Sequence, residues 1–317
     1  MSDVSHKDLS VSELRQLLVS LELCEKGNRA TLTKRLRSHQ KKTKESIVAE
    51  ERTKEKELSD DSTAKEPALL KCPPSHRYHS FLVLDFEATC EEFLPPHEKQ
   101  AFNYPNEIIE WPTILLQWIV DAENKYRLET IDTFHSYVKP HWRPELTKYC
   151  TRLTGLQQSQ IDPAPSFRQV IADFEKFIVK HDLFTAQNQT LWITDGPWDL
   201  RDFLAKSFYI NGIQRPSYFK GKMLDSRALC REYFADKPQP PFYSLVSVID
   251  ALGLKFEGSL HSGIDDTRNI ANIIKELASR GVKIHHNRNL PNGKSERRWD
   301  WMKCGKVDWK KSASADN

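Results

Sequence analysis

The chain has 317 residues, 38% hydrophobic and 29% charged, with a formal net charge of +3. That length suits a full-sized domain plus a small module, and no run approaches the ~18 apolar residues that a membrane-spanning helix needs. The six cysteines (Cys24, Cys72, Cys90, Cys150, Cys230 and Cys304) form no Cys-x-x-Cys pair, which argues against a zinc site and for reduced thiols inside the cell.

The start, Met1 to Lys7, lacks the apolar stretch of a secretory signal. Charge is spread unevenly after it. Residues 1–44 hold ten Lys/Arg against five Asp/Glu, whereas residues 45–317 hold 37 against 39. The surplus suggests a polyanion-binding arm on a body that works differently. Ser10 and Glu13 have capping-box spacing, and Leu14, Leu17, Leu18 and Leu21 follow the period of an amphipathic helix. Gly27 offers a stop, and Thr31 can cap a second short helix carrying Leu32 and Leu36. No acid interrupts the basic series from Lys26 to Lys44. A charge run is often just a solvated face, but this one predicts phosphate contacts. The leucine pattern, Gly27 and the basic second helix make residues 6–42 resemble the SAP domain, a small helical nucleic-acid binder. Lys34, Arg35 and Arg37 are the RNA contacts expected of it, within a module spanning 1–44.

Residues 45–75 contain no aromatic residue, mix charges of both signs and close on Pro73-Pro74, which reads as a flexible linker. The body, 76–284, begins with the apolar run Ser80–Leu84, which leads into Asp85 and Glu87. Strand alternation puts both acids on one face, an arrangement that is costly unless they are paired or bind a cation. After an acidic, proline-containing loop from Glu91 to Pro105, Ile108–Pro112 and Thr113–Val120 read as strand material ending in a turn near Ala122-Glu123-Asn124, and Thr130–Val138 makes a third strand, closed by Pro140. Three strands at short spacing suggest an antiparallel start to a sheet. Helices are predicted over Pro144–Leu153, ended by Gly155, and around Phe167–Ile178. The strand Leu191–Thr194 then runs into Asp195-Gly196-Pro197-Trp198-Asp199, which opens a helix with Phe203 and Leu204. Ser244 can cap a helix through Leu252. His261 to Asp266 lead into a last helix with Ile270, Ile273, Ile274 and Leu277 inward. Strands first and helices interleaved afterwards predict an α/β sandwich with a mixed sheet. In the polar tail, 285–317, Trp299, Trp301 and Trp309 could pack back onto the domain or stack on bases.

Four acids from three separated segments, Asp85, Glu87, Asp199 and Asp266, each stand at an element boundary. That is what a site for two Mg²⁺ or Mn²⁺ ions requires, since hard cations take oxygen ligands and offset the repulsion among clustered carboxylates. Singly, Asp199, Asp265 and Asp266 could each be an N-cap. An imidazole titrates near working pH, which makes His261 the natural proton acceptor for an attacking water.

The pattern resembles the DEDD family of 3′-to-5′ exonucleases, in its histidine subclass. Asp85-Phe86-Glu87-Ala88-Thr89 matches the first motif and Thr194–Asp199 the second, although Asp195 stands where many members have asparagine. His261-x-x-x-x-Asp266 matches the third; Ser262 occupies the place of the tyrosine that marks the other subclass. With Leu153-Thr154-Gly155-Leu156 and His261-x-Gly263-Ile264-Asp265-Asp266, the chain looks like the Eri-type exoribonucleases. The resemblance implies a ribonuclease H-like fold, Asp85, Glu87, Asp199 and Asp266 as ligands of two Mg²⁺, and His261 as base, with Glu87 also counted as catalytic. It implies a terminal nucleotide held by Glu87, Ala88 and His261, flanked by Trp198 and near Tyr149. Expected substrates are the histone mRNA 3′ stem-loop, the 3′ end of 5.8S ribosomal RNA and small interfering RNA. Expected partners are a stem-loop-binding protein and the ribosome, with no membrane, in cytoplasm, nucleus and nucleolus. Two rival readings are a DNA-directed exonuclease and a non-catalytic nucleic-acid-binding adaptor.

Overall fold

The computed structural model describes residues 26–36, 72–92, 105–238, 240 and 243–290, together with Val11, Leu14, Arg15 and Leu18. The chain divides into two compact units, Met1–Ala68 and Leu69–Asn317.

In the first unit, Leu14, Leu18, Leu32 and Leu36 are fully buried against one another, as the leucine spacing predicts. The second helix starts earlier than expected. Asn28 Oδ1 accepts from the Thr31 backbone N–H at 3.0 Å and from the Thr31 hydroxyl, and residues 29–36 are helical. Asparagine is a better N-cap than threonine, so the cap moves back to Asn28. Leu17, Leu21 and Arg37 lie outside the described residues, as does nearly all of the stretch read as a linker.

The second unit is built on a seven-stranded mixed sheet. Its strands are β1 (Ser80–Leu84), β2 (Glu87–Ala88), β3 (Ile108–Val120), β4 (Tyr126–Tyr137), β5 (Thr190–Thr194), β6 (Gly221–Asp225) and β7 (Arg288–Leu290). The long β3 pairs antiparallel with β1, β2 and β4, which is the antiparallel start expected. β1 then pairs parallel with β5, and β5 with β6, before β7 closes the edge antiparallel. The helices are α1 (Lys148–Thr154), α2 (Gln158–Ile161), α3 (Phe167–Lys180), α4 (Leu204–Ile210), α5 (Ser226–Tyr233), α6 (Leu245–Ala251) and α7 (Gly263–Ser279).

Both faces of the sheet are covered. Phe81 and Val83 of β1 pack with Leu191 and Ile193 of β5 against Ile270, Ile274 and Leu277 of α7. Leu82 and Leu84 pack with Trp192 and Trp111 against Val170, Phe174 and Ile178 of α3. A strand buried on both sides is apolar wherever its side chains find no hydrogen-bond partner; Ser80–Leu84 is buried at every position, and its one polar side chain, Ser80, donates to Asn188 Oδ1. This is the ribonuclease H-like arrangement of a mixed sheet between helices.

Three local differences bear on the site. β1 stops at Leu84, and strand pairing is interrupted at Asp85-Phe86 before β2 resumes with a register shift between Glu87 and Ala88. Continuous alternation across Asp85 and Glu87 is therefore interrupted, because the Phe86 N–H goes to Asp199 Oδ1 at 3.0 Å. Asp199 opens a short π-helical turn, Asp199–Phe203, and the α-helix begins only at Leu204. The start of the stretch read as a polar tail supplies β7, held by Asn287 to the Asp225 backbone and by Arg288 to the Asp225 carboxylate.

Candidate active site

A cleft of about 630 Å³ opens where β1 and β5 end, lined by Asp85, Glu87, Ala88, Trp198, Asp199, His261 and Asp266 among others. Asp85 reaches it by directly following β1, and Glu87 and Ala88 by forming β2. Asp199 is fixed to the first motif by its bond from the Phe86 N–H. Gly196, at φ 91°, lets Trp198 fold back over the turn; a Cβ there would lie 1.9 Å from the indole. Trp198 is 45% exposed.

The third motif is assembled by the start of α7. His261 takes a left-handed backbone, φ 65°, and its N–H donates to Asp266 Oδ2 at 2.8 Å. That bend brings side chains from two motifs together. One ligand atom each of Glu87, His261 and Asp266 lie within 4.8 Å of one another. A non-glycine residue at positive φ is strained, and such strain collects at functional sites. Gly263 is equally constrained, since a Cβ would come 3.0 Å from the Asp85 carbonyl and 2.9 Å from Glu110 Oε2. A bare backbone lets α7 approach the end of β1 this closely without displacing the Asp85 carbonyl or the Glu110 carboxylate.

The electrostatics follow from crowding. Burial, then the charges of Asp199 and Glu87, hold the Asp85 carboxyl well above the usual carboxylate range. Burial, then Glu110 and Asp266, push Glu87 up to about 9. Burial raises Asp199 to about 7 and Asp266 to about 6, each partly offset by a backbone N–H donated to it. Carboxylates that resist ionisation together are stabilised as anions by a cation among them. Asp266 Oδ1 fits that role, being buried with no hydrogen-bond partner. An oxygen-rich donor set of this kind suits a hard divalent cation.

Other expected residues sit elsewhere. Tyr149 is on α1, half-buried, with the Arg152 guanidinium 5.6 Å from its ring centre; the same helix sends Leu153 to the cleft. Lys34 and Arg35 belong to the first unit, where Arg35 Nη1 donates to the Lys26 carbonyl at 3.0 Å.

Two residues of consequence escaped the sequence reading. Glu110 of β3 is buried, and its carboxylate accepts from the Gly263 N–H at 3.0 Å and the Ile264 N–H at 3.3 Å. His135 Nε2 lies 2.8 Å from Glu110 Oε1, the oxygen that also accepts from Ile264. Glu110 thus caps α7 from across the sheet. The one available signal was an acid inside the apolar run Ile108-Ile109-Glu110-Trp111. Arg227 of α5 also lines the cleft, in a segment that carries no motif.

The sequence matches the RNase_T family, described as an exonuclease, over residues 82–274. A curated relative, the 3′-5′ exonuclease eri1 of Schizosaccharomyces pombe, is 33% identical over 319 residues, covering 95% of this chain and 94% of its own. A solved structure described as 3′-end specific recognition of histone mRNA stem-loop by a 3′-exonuclease aligns with TM-score 0.60 and 27% identity, over 90% of this chain and 86% of that one. Another, the nuclease domain of 3′hExo, a DEDDh family member, bound to rAMP, aligns with TM-score 0.58 and 30% identity, over 67% of this chain and 98% of that one.

Proposed function

This chain belongs to the RNase_T exonuclease family and is a 3′-to-5′ exoribonuclease; from that premise we propose that it trims structured RNA 3′ ends with two Mg²⁺ bound. The observation that carries the reading is the convergence of Asp85, Glu87, Asp199 and Asp266 on one cleft with His261.

When bound, divalent cations stabilise the attacking and leaving oxygens of a phosphodiester displacement. Asp85, Glu87, Asp199 and Asp266 would hold them. His261, exposed at the rim of the cleft, accepts the proton of the attacking water, and its backbone bond to Asp266 keeps it in place. Glu87 and Ala88 on β2 contact the terminal nucleotide. Trp198 offers an open ring against which its base can stack, with Tyr149 farther along the path.

The stem-loop named for one structural neighbour is the leading substrate by analogy, with the 5.8S ribosomal RNA 3′ end and small interfering RNA as further candidates. We place the action in cytoplasm, nucleus and nucleolus, with a stem-loop-binding protein and the ribosome as partners, in histone mRNA decay and RNA-mediated silencing. Residues 1–44 act as a SAP-type module on a 45–75 linker, gripping phosphates with Lys34, Arg35 and Arg37. The body from 76 to 284 holds 24 Lys/Arg against 27 Asp/Glu, so it has no basic surplus of its own for a duplex. Removing residues 1–44 should weaken stem-loop binding and flatten its salt dependence by roughly two to three units, while digestion of unstructured RNA changes far less. Equal losses on both substrates would assign the module to folding or catalysis instead.

The direct test of substrate is a paired digestion of RNA and DNA of one sequence, labelled at the 3′ end. Faster loss of label from RNA is expected; faster loss from DNA would make the protein a DNA-directed exonuclease.

A further inference from the structure

The cleft contains an ion pair that the chemistry above does not use. Asp195 Oδ2 accepts from Arg227 Nε at 2.9 Å and Nη2 at 2.6 Å, while Asp195 Oδ1 accepts from the Ser226 hydroxyl at 3.1 Å. The Arg227 guanidinium also lies 5.3 Å from the centre of the Trp198 ring. Asp195, Trp198 and Arg227 all line the cleft.

Topology explains why they meet. β5 and β6 run parallel with Thr194 opposite Asp225, so the residues just past each strand emerge side by side. Asp195 follows β5 directly, and Arg227 is the second residue of α5, which starts directly after β6.

Among the described residues lining the cleft, Arg227 is the only lysine or arginine, and it shares that lining with Asp85, Glu87, Asp195, Asp199 and Asp266. A polyanion entering between those acids needs donors as well as metal. The bonds to Asp195 occupy Nε and Nη2, so Nη1 and its two N–H groups take no part in that pair. A guanidinium held by one carboxylate and by an aromatic face keeps its plane fixed, and its remaining edge matches two oxygens of a phosphate.

We propose that Arg227, oriented by Asp195 and Trp198, contacts a backbone phosphate of the RNA 3′ end through its Nη1 edge. Asp195 is then a positioning residue, and Trp198 serves both the arginine and the base. This rests on the exoribonuclease reading above.

The test uses the full-length protein with Mg²⁺ and a 3′-labelled single-stranded RNA. Arg227→Ala should lower kcat/KM roughly 10- to 100-fold, the usual range for a charge-assisted hydrogen bond. The slope of log kcat/KM against log salt should become shallower by about 0.7, the share of one phosphate on a single strand. Arg227→Lys should recover part of the loss, and it replaces the alanine variant if that one fails to fold. The discriminating arm places a single uncharged methylphosphonate at each of the first three non-scissile linkages in turn. Wild type should slow at one of these positions where the Arg227 variant is indifferent. If wild type and variant slow equally at every position, the phosphate contact does not exist and Arg227 only supports the fold. If wild type fails to shorten the unmodified RNA from its 3′ end, the exoribonuclease reading falls first and this contact with it.

Discussion

Asp266 divides one carboxylate between two tasks. Oδ2 holds the His261 backbone, and Oδ1 is buried without a partner. A buried acceptor left unsatisfied costs about 1–3 kcal/mol, which a bound cation would remove. The same reasoning makes Asp85 the most informative residue to delete. Asp85→Ala should abolish Mg²⁺-dependent digestion, yet melt no lower than wild type in EDTA, because it relieves a buried acid crowded by Asp199 and Glu87. Digestion beside a thermal melt checks both halves. For His261, alanine would confound chemistry with backbone strain at φ 65°. Asparagine tolerates that conformation better, so His261→Asn isolates the proton transfer. It should slow hydrolysis ~10²–10⁴-fold while the Mg²⁺-induced rise in Tm persists. A nearly unchanged rate would mean that another group takes the proton.

At the scale of elements, the site depends on α7 meeting the end of β1. Gly263 permits the approach, and Glu110 fastens it by accepting two N–H groups of the first turn. Glu110→Ala would leave the buried Gly263 N–H and the half-buried Ile264 N–H without their acceptor and should cost about 1–3 kcal/mol in urea unfolding. It should also weaken Mg²⁺ binding, because Asp266 and His261 ride on that turn. Wild-type stability and metal affinity in this variant would show that α7 is held by its apolar face alone. The three motifs were legible because each is a short local pattern at the edge of a strand or helix: Asp85–Glu87, Asp195–Asp199 and His261–Asp266. Glu110 was not, since the N–H groups it serves lie about 150 residues farther along the chain. Nor were β6 and β7. Gly221–Asp225 has only its last three residues buried, and Arg288-Asn289-Leu290 has one, so neither shows a strand's full periodicity. β7 is held to the sheet edge by Asn287 and Arg288 bonding to Asp225, contacts that no local window contains.

For the whole molecule, the clustered acids couple stability to pH and metal. Their folded pKa values are raised, so between the ordinary carboxylate range and those values the folded state binds more protons than the unfolded state. Stability therefore falls as pH rises through that window, which runs from about 4 past about 6 for Asp266 and about 7 for Asp199 to about 9 for Glu87. Metal competes with those protons. The difference in Tm between Mg²⁺ and EDTA, which cancels titrations elsewhere in the chain, should widen from pH 5 to pH 8. A pH-independent difference would place the cation away from these acids.

The central claim is that one cleft, built by β1, β2, the turn after β5 and the start of α7, removes nucleotides from RNA 3′ ends with metal bound. One gel tests it: RNA labelled at its 5′ end, incubated with wild type in Mg²⁺, with wild type in EDTA, and with Asp85→Ala in Mg²⁺. Wild type in Mg²⁺ should give a ladder that shortens one nucleotide at a time while the 5′ label is retained, and the other two lanes should stay at full length. Immediate release of the 5′-terminal nucleotide, or an equal ladder in EDTA or with Asp85→Ala, would contradict it.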